Sequence, residues 1–495
     1  MQLLLSFIFP IISYFLQIYP RFFNKSFGVD VWTRLIETDI IRKNHYRIPK
    51  GVIKKGFIFE GYFDYPPVFI LLLSLFSKKN LEKYQGFIAP FFDALLNISV
   101  YFIAMQLTNN IYVALLAQLI YTLTPVVAIE NSSLVPRSIG YLLFSLSFYF
   151  ILLYTGTNQE QLLFIILGLI FSVLTLLTHR FATQSLLFIS IFFAILERSP
   201  IYLYVFAVSM ILAILLSRGY YLRVLKVHIT NIIFWSKNSS NRFAHQVYGH
   251  VPSSKNPDLV GIIYKLLAKL APLTLLISNI WILSSLFFFA TNAPKTLMFE
   301  KLALWGIFFY VLAVLVLMIK YLIPIGEGYR YLEMTQLPTA ILSSYLFFHF
   351  YNSPFRIFAI IVLTLFLSGN LLVILVIQYK AVIKDKNRSF TKDMRDACQF
   401  IKKLPGTPRI MCLPHQVTTM VVYNTNADVL VGIDTESVKH MGDFYPILKK
   451  PISKLAKKYN LDYLFLRESF AKLKDLKIKN AKVVYSSGDI VVVKL

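Results

Sequence analysis

The chain has 495 residues, of which 57% are hydrophobic, and 50 Lys and Arg against 25 Asp and Glu give it a formal net charge of +25. Apolar runs of roughly 17 to 25 residues, each long enough to cross a bilayer, recur from the N-terminus to about Ile377 and exclude an ordinary soluble protein. The basic excess suits an anionic membrane surface or a phosphate-bearing ligand. It also marks nucleic-acid binders, but the sequence contains no such module, so we expect no nucleic-acid partner.

The apolar runs predict about eleven spans and a mainly α fold class, a polytopic membrane helical bundle with a small C-terminal α/β soluble domain. The first run lacks a basic n-region and a cleavage site, so we expect it to be retained rather than removed as a signal peptide. The predicted spans are residues 3–22, 86–107, 111–129, 139–154, 162–177, 181–196, 201–216, 267–290, 302–322, 331–350 and 355–377.

Asp30 stands where the first apolar run gives way to a polar loop, in the segment Gly-Val-Asp-Val-Trp-Thr-Arg at residues 28–34. A carboxylate inside hydrocarbon is costly, whereas one at the membrane rim keeps water and faces lipid head groups. Asp30 could therefore act on a lipid-borne substrate. The alternative is a helix cap, with Trp32 in an interfacial aromatic belt.

Two long polar loops, 24–85 and 217–259, are the candidate reaction loops. The first contains an amphipathic stretch at 31–41, the acid Asp64, and the stiff corner Tyr65-Pro66-Pro67. An apolar run at 68–76 follows, which is too short to span and better fits a helix lying along the interface. If that run does not cross the membrane, seven candidate site residues lie on the same face of it: Asp30, Asp64, Arg137, His179, Arg180, Glu327 and Arg330.

Short connections between spans supply the other candidates. Arg137 follows Pro136, and its guanidinium matches phosphate oxygens, although a snorkelling arginine is the alternative. His179 and Arg180 form a tight turn that suggests contact with substrate or phosphate. In the run Gly-Glu-Gly-Tyr-Arg-Tyr-Leu-Glu at 326–333 the glycines allow close backbone approach, and Arg330 could pair with Glu327 or with a ligand phosphate.

From about Lys384 the charges become dense and the apolar runs shorten to strand length, so a separate domain is predicted at 385–495 after a membrane domain at 1–380. We predict helices at 392–403 and 451–459, strands at 409–413, 419–423 and 463–466, and a hairpin at 483–495 about Ser-Ser-Gly-Asp. Both cysteines, Cys398 and Cys412, lie in this domain, and one pair defines no disulfide framework.

Taken together, these features resemble the GT-C superfamily of membrane glycosyltransferases, which includes protein mannosyltransferases and aminoarabinose transferases. The resembling parts are, in chain order, Asp30 just after the first helix, Tyr65-Pro66-Pro67, Thr124-Pro125 followed by Pro136-Arg137, Leu177-Thr-His179, and Arg330-Tyr331-Leu332.

The resemblance implies transfer of a sugar from a polyprenyl-phosphate carrier to a hydroxyl of a lipid, glycan or protein acceptor. It casts Asp30 as the general base, and Arg137 and Arg330 as groups that stabilise the departing lipid phosphate. A single displacement would invert the anomeric carbon. The resemblance also implies a multi-pass protein, which we expect in the plasma membrane, with its active site and the domain at 385–495 on the non-cytosolic face.

The chain departs from the oligosaccharyltransferase branch, because it lacks that branch's Trp-Trp-Asp-Tyr-Gly signature. Val31 and Trp32 stand where a second acid would follow Asp30, so no cofactor is certain and a divalent metal stays open. Two other classes of function are also open. A lipid flippase or other transporter would need polar groups within the spans, for which Asp93 is the best candidate, and a noncatalytic assembly factor would leave Asp30 replaceable.

Overall fold

The computed structural model describes residues 2–130, 133–156, 161–249, 270–476, 478 and 481–495. The chain forms two compact units, each discontinuous in sequence. The helical unit comprises Met1–Phe23, Gly86–Tyr221 and Pro257–Lys384, and the mixed unit comprises Asn24–Gln85, Leu222–Asn256 and Asp385–Leu495. The predicted linear division at residue 385 therefore differs from the compact units, because both long polar loops belong to the mixed unit.

Aromatic side chains fill the centre of the helical unit. Trp305 is fully buried, and its ring lies 5.0 Å from that of Phe148 and 5.8 Å from that of Phe144. Helix starts are fixed by ordinary caps: Asn110 and Thr296 accept hydrogen bonds from the backbone at the beginnings of their helices. The α-helices of this unit are Gln2–Leu5, Ile8–Phe23, Ile111–Thr122, Pro125–Glu130, Arg137–Gly156, Leu162–Leu176, Arg180–Leu196, Ile201–Leu216, Ala271–Ser278, Ile282–Phe287, Leu297–Met318, Gly328–Leu332, Gln336–Tyr351 and Arg356–Gln378.

Among the described residues, five helices are long and apolar enough to cross a membrane, and up to seven if each of two bent pairs is one span. A polytopic helical membrane protein is thereby confirmed, but eleven spans are not. Several predicted spans are shorter or broken helices. The one predicted at 111–129 is interrupted before Pro125, and the one at 267–290 begins outside the described residues and then bends by 114°. The five helices are Leu3–Phe23, Lys78–Thr108, Arg137–Gly156, Leu297–Met318 and Arg356–Ile383.

A six-stranded sheet organises the mixed unit. Its strands are β1 (Phe57–Phe59), β2 (Arg409–Leu413), β3 (Asp428–Gly432), β4 (Tyr463–Arg467), β5 (Lys482–Ser487) and β6 (Ile490–Lys494). Their order is β1-β3-β2-β4-β6-β5; the first four are mutually parallel, and β6 runs antiparallel to β4 and β5. The strand β1 comes from the first polar loop, which is why that loop belongs to this unit.

Among the residues that the structure describes, five α-helices lie wholly in the mixed unit: Asp30–Lys43, Pro67–Ser74, Lys392–Lys402, Thr418–Asn424 and Ile452–Tyr459. Two more, Lys78–Thr108 and Tyr220–Lys237, have residues in both units. The stretch at 68–76 does form a short helix, which begins at Pro67 as proline at a first helical position favours.

Most elements predicted for the C-terminal region are present, including the hairpin, whose strands are β5 and β6. The strand predicted at 419–423 is wrong, because Thr418–Asn424 is a helix. Its Val421 and Val422 favour strands locally. The adjacent strands β2 and β3 are parallel, however, and parallel strands need a crossover connection, which this helix supplies. The sequence analysis also missed β1 and β3.

We predict that single cysteines replacing Lys54 and Lys474 label from the same side of the membrane. Both positions are exposed and belong to the mixed unit, and Lys54 lies three residues before β1, which pairs with β3. The measurement is labelling of intact cells by an impermeant maleimide, in a background with Cys398 and Cys412 replaced by Ala. The native protein is the control, because both its cysteines are buried and should stay unlabelled. Opposite accessibility of the two positions would contradict this assignment.

Candidate functional site

Asp30 is the first residue of the helix Asp30–Lys43, and the cap position is Val29. The cap alternative for Asp30 is therefore not supported, although an acid in the first turn does complement the helix dipole. The Asp30 side chain is exposed. Trp32 is only 7% exposed and packs between the rings of Phe390 and Tyr423, so it is not available for an aromatic belt.

One helical turn after Asp30, Arg34 contacts both Glu37 and Tyr65. Its Nη1 donates to Glu37 at 2.6 Å, and its guanidinium lies 3.7 Å from the centre of the Tyr65 ring. Burial lowers the pKa of Arg34, but the charges of Glu37, Tyr65 and Asp30 outweigh it, so the net pKa is raised. Arg34 therefore links Asp30 electrostatically to Tyr65, and it stays cationic.

Asp64 is buried, and its Oδ2 accepts a hydrogen bond of 2.7 Å from the backbone N–H of Thr435. The neighbouring Asp434 accepts from the backbone N–H groups of Tyr62 and Ser437, both at 3.0 Å. Burial raises the pKa of Asp434, and the charge of Asp64 raises it further. Asp64 thus holds the first polar loop against the turn after β3, which is a structural use of this carboxylate.

In the helical unit, Arg137 pairs with a glutamate that the sequence analysis did not single out. Arg137 is the first residue of the helix Arg137–Gly156, and its Nη1 lies 3.3 Å from Oε1 of Glu333. The Glu333 side chain is fully buried, and that of Arg137 is 13% exposed. Removing one member of a buried pair leaves an uncompensated charge, so each residue depends on the other.

Arg330 lies in the turn that leads to Glu333. Its Nε donates to Glu327 at 3.1 Å, and the Tyr329 hydroxyl donates to the same carboxylate. Burial and the charge of Arg137 lower the pKa of Arg330, but Glu327 and Tyr329 outweigh them and the net pKa is raised. Arg330 lies three residues before Glu333, the partner of Arg137, so the chain holds the two arginines in the same part of the helical unit.

Two glycines allow this turn to pack closely, as the sequence indicated. Gly326 has φ of 148°, a region that side chains disfavour, and a Cβ there would lie 2.7 Å from the Phe181 ring. A Cβ on Gly328 would lie 2.5 Å from the carbonyl oxygen of Ala313. Tyr331 is buried against Phe181, with ring centres 4.6 Å apart.

His179 and Arg180 begin the helix Arg180–Leu196, with His179 at the cap position. The His179 ring is 5.8 Å from that of Tyr141, which lies in the first turn of the helix Arg137–Gly156. Gly140 makes room for this histidine, because a Cβ there would lie 2.6 Å from the His179 Cβ. Thus two helices, of 20 and 17 residues, present their positive N-terminal ends beside the arginines.

The predicted candidates therefore fall into two groups, one in each unit. The helical unit holds Arg137, His179, Arg180, Glu327 and Arg330, and the mixed unit holds Asp30, Asp64 and Tyr65. Sequence reasoning missed Arg34, Glu333 and Tyr141. Two of them had a signal in the sequence: Arg34 is a cation one turn after Asp30, and Glu333 is an acid one turn after Arg330.

Within the part of the chain that the structure describes, no group of three or more His, Cys, Asp or Glu side chains could hold a metal ion. Glu37 is engaged by Arg34, and Asp64 accepts from Thr435. The donors present near Asp30 therefore do not form a metal-ligand set.

The chain is similar to solved structures of membrane enzymes. The oligosaccharyltransferase AglB from Archaeoglobus fulgidus, solved with an inhibitory peptide and a dolichol-phosphate, is 12% identical over 96% of this chain and 70% of its own, with a TM-score of 0.57. An Archaeoglobus fulgidus oligosaccharyltransferase solved with Zn and sulfate is 13% identical over 94% and 68% of the two chains, with a TM-score of 0.58. ArnT from Cupriavidus metallidurans in the apo state is 12% identical over 98% and 96%, with a TM-score of 0.51.

No protein-family model and no curated protein matches the sequence. Because these three structures are only 12% to 13% identical to the chain in sequence, the likeness shows the fold alone. The predicted GT-C fold is thereby confirmed.

We predict that Glu333→Gln lowers the free energy of unfolding by about 3 kcal/mol, because Arg137 then loses its buried counter-charge. Thermal unfolding of the purified protein in detergent measures the loss. Glu327→Gln is the matched control: its side chain is 19% exposed and that of its partner Arg330 is 33% exposed, so the loss should be smaller. Equal melting temperatures for the two variants would contradict a structural dependence on the Arg137–Glu333 pair.

Proposed function

We propose that the protein is an integral membrane glycosyltransferase that moves a sugar from a polyprenyl-phosphate donor to an acceptor hydroxyl. The observation that carries the proposal is the arrangement of arginines in a chain with the GT-C fold: Arg137 and Arg180 begin two long helices, and Arg330 lies three residues before Glu333, the partner of Arg137. The structure of AglB was solved in complex with a dolichol-phosphate, which is a donor carrier of the proposed class.

The arginine cluster is suited to the phosphate of the lipid. Arg137, Arg180 and Arg330 carry three positive charges against the two of Glu327 and Glu333, so the cluster keeps one net positive charge. Planar guanidinium groups bind phosphate oxygens in pairs, and helix N-termini favour anions. His179 lies at the cap of one of these helices, where its ring could contact the same phosphate.

Asp30 is proposed as the general base. It removes the proton of the acceptor hydroxyl while that oxygen attacks the anomeric carbon. The bond between that carbon and the phosphate oxygen breaks, and the polyprenyl phosphate leaves with the electron pair, its charge held by Arg137 and Arg330. One displacement inverts the sugar and needs no protein nucleophile. Exposure of the Asp30 carboxylate supports access by an acceptor.

Asp64 and Tyr65 support this base indirectly. Tyr65 packs beneath Arg34, whose positive charge acts on Asp30 one turn away, and Asp64 fixes the same loop to Thr435. These contacts favour a positioning role rather than contact with the substrate. A divalent metal is consistent with the Zn named for an Archaeoglobus oligosaccharyltransferase, but we assign no step to it because the described donor set does not fit.

The active site and the C-terminal region at 385–495 are proposed to face the non-cytosolic side of the plasma membrane, where enzymes of the resembling superfamily act. The sugar is proposed to be a single hexosyl or pentosyl unit.

A flippase or other transporter is the alternative from another class. Its best residue was Asp93, which is 3% exposed. Asp93 accepts hydrogen bonds from Tyr121 at 2.7 Å and from Gln17 at 2.5 Å. A carboxylate held by two side chains of the bundle fits helix packing better than a path for a substrate, so we favour the enzyme.

The test is transfer of radiolabelled sugar by the purified protein, from a panel of dolichyl- and undecaprenyl-phosphate sugars. A transferase forms a new glycosidic bond to an acceptor, whereas a flippase moves the donor across a vesicle membrane and leaves it intact. Donor translocation without any new glycosidic bond would contradict the proposal. If the protein shows neither transfer nor translocation, that result would favour a noncatalytic assembly factor.

We predict that Asp30→Asn lowers the rate of transfer by roughly 10²-fold or more, because Asn keeps the size of the side chain but cannot accept a proton. Donor affinity should be largely kept. The control is Asp39→Asn in the same helix, since Asp39 is bonded to Arg42 at 2.7 Å and has no proposed chemical role. Transfer by the Asp30 variant at a near-native rate would remove this residue from the mechanism.

We predict that Arg330→Lys weakens donor use more than stability. Lysine keeps the charge but loses the planar fork that suits phosphate and the Nε bond to Glu327. Steady-state transfer at varied donor concentration, beside thermal unfolding, separates the two effects. The expected result is a rise of about tenfold in donor KM with a small change in melting temperature. A fall in stability without a change in donor KM would assign Arg330 to structure.

A further inference from the structure

A crevice opens in the mixed unit where two neighbouring parallel strands end. The connection after β2 leads to β3, toward one edge of the sheet, and the connection after β4 leads to β5, at the other edge. Adjacent parallel strands whose connections diverge in this way form a topological switch point, and open α/β sheets bind ligands in the crevice at the carboxyl ends of such strands. The topology therefore marks this crevice as a binding position.

The crevice holds a cavity of about 450 Å³, within the range usual for small-ligand sites. Residues directly after β2, Pro414 and Gln416, form one wall, and residues from the end of β4 onwards form another. Asn387 and the segment containing His245 and Tyr248 complete the lining. These side chains combine aromatic rings with the planar amides of Asn387 and Gln416.

The aromatic wall is a stack of three rings. The His245 ring lies 4.0 Å from that of Phe470 and 4.5 Å from that of Tyr248, with interplanar angles of 19° and 26°. Hydrogen bonds fix the histidine: its Nδ1 accepts from the backbone N–H groups of Val247 and Tyr248, and its Nε2 donates to the carbonyl of Phe470 at 3.0 Å. This wall is consequently rigid and neutral.

At the base of the cavity lies Arg467, whose side chain is 3% exposed. Its Nη1 donates to the carbonyls of Lys386 and Asn387, at 3.3 and 2.5 Å, whereas its Nε makes no hydrogen bond among the described residues. The carboxylate of Asp489 lies 3.6 Å from that Nε and balances the charge. A buried guanidinium with spare donor capacity is costly unless something accepts from it.

The lining points to a neutral, polyhydroxylated ligand. A sugar ring has an apolar C–H face that packs on aromatic rings, and adjacent hydroxyls that bond to planar amide and guanidinium groups in pairs. The charges of the lining do not favour an anion, since Arg467 is paired with Asp489 and Lys472 is accompanied by Glu468. We propose that the crevice at the ends of β2 and β4 is a saccharide-binding subsite, and that the acceptor of the reaction is accordingly a glycan.

The subsite is connected to the proposed base through the backbone. Asn387 lines the cavity, and the carbonyl of the next residue, Arg388, accepts from the N–H of Gly28 at 2.9 Å. Gly28 precedes Asp30 by two residues. The assignment of the bound saccharide as the acceptor rests on the proposed function, whereas binding itself does not.

The experiment measures binding of neutral mono- and oligosaccharides to the purified full-length protein by saturation-transfer NMR and titration calorimetry. Tyr248→Ala and Gln416→Ala should each weaken binding about tenfold, because one removes a stacking ring and the other an amide. Phe243→Ala is the matched control. Phe243 is an aromatic residue of the same segment as Tyr248, but it is 64% exposed and does not line the cavity. Circular dichroism and thermal unfolding confirm that each variant is folded.

Neutral sugar binding that survives raised salt and is lost in the two cavity variants but not in Phe243→Ala supports the proposal. Several results would overturn it: no binding by any sugar at about 20 mM, equal binding by all variants, binding only of anionic ligands that salt abolishes, or binding of peptides instead of sugars. The Asp30→Asn protein separates the two claims, because it should bind sugar normally while its transfer rate falls by roughly 10²-fold or more. Sugar binding by a protein without transferase activity would reject the function and the acceptor role but keep the subsite.

Discussion

The parallel pairing of β1 with β3 is the contact on which the arrangement of the mixed unit depends. It joins a three-residue strand from the first polar loop to a strand more than 350 residues later in the chain, in register Phe57 with Val429. The backbone N–H of Gly56 reinforces it by donating to Asp428 at 3.0 Å. The helix that begins at Asp30 belongs to the same unit, where Trp32 packs on Phe390 and Tyr423 of the C-terminal region. Loop closure over such a distance is entropically costly, so the pairing has to be supported by the buried contacts around it.

Charge is organised differently in the helical unit. A buried ion pair such as Arg137 with Glu333 adds little net stability, because desolvation offsets its Coulomb energy. Its more informative consequence is placement, since it fixes one guanidinium near a second, Arg330, whose own partner Glu327 is partly exposed. Two like charges held together beside two helix N-termini form a site that an anion would stabilise. That requirement is the physical basis for assigning a lipid phosphate to this cluster.

The sequence was sufficient for features whose causes are local. The acid after the first apolar run, the glycines around Arg330 and the hairpin of β5 and β6 could all be predicted from adjacent residues. The partners of these groups could not: Glu333 reaches Arg137 across 196 positions, and Arg34 contacts Tyr65 only because the chain returns after β1. The helix Thr418–Asn424 was misread for the same reason, since its valines favour a strand and the parallel neighbours of β2 require a helix. The predicted eleven spans are not confirmed, because several of the continuous apolar runs are broken or short helices in the described part of the chain.

The proposed reaction is a single displacement at the anomeric carbon, with Asp30 as the base and the polyprenyl phosphate as the leaving group. The stereochemistry of the product tests that step most directly. A donor of defined anomeric configuration is incubated with the native protein, and the first glycoside formed is examined by proton NMR before equilibration. The account predicts a product whose anomeric configuration is opposite to that of the donor. Retention of configuration would require two displacements and a nucleophile on the protein, and would contradict the role given to Asp30.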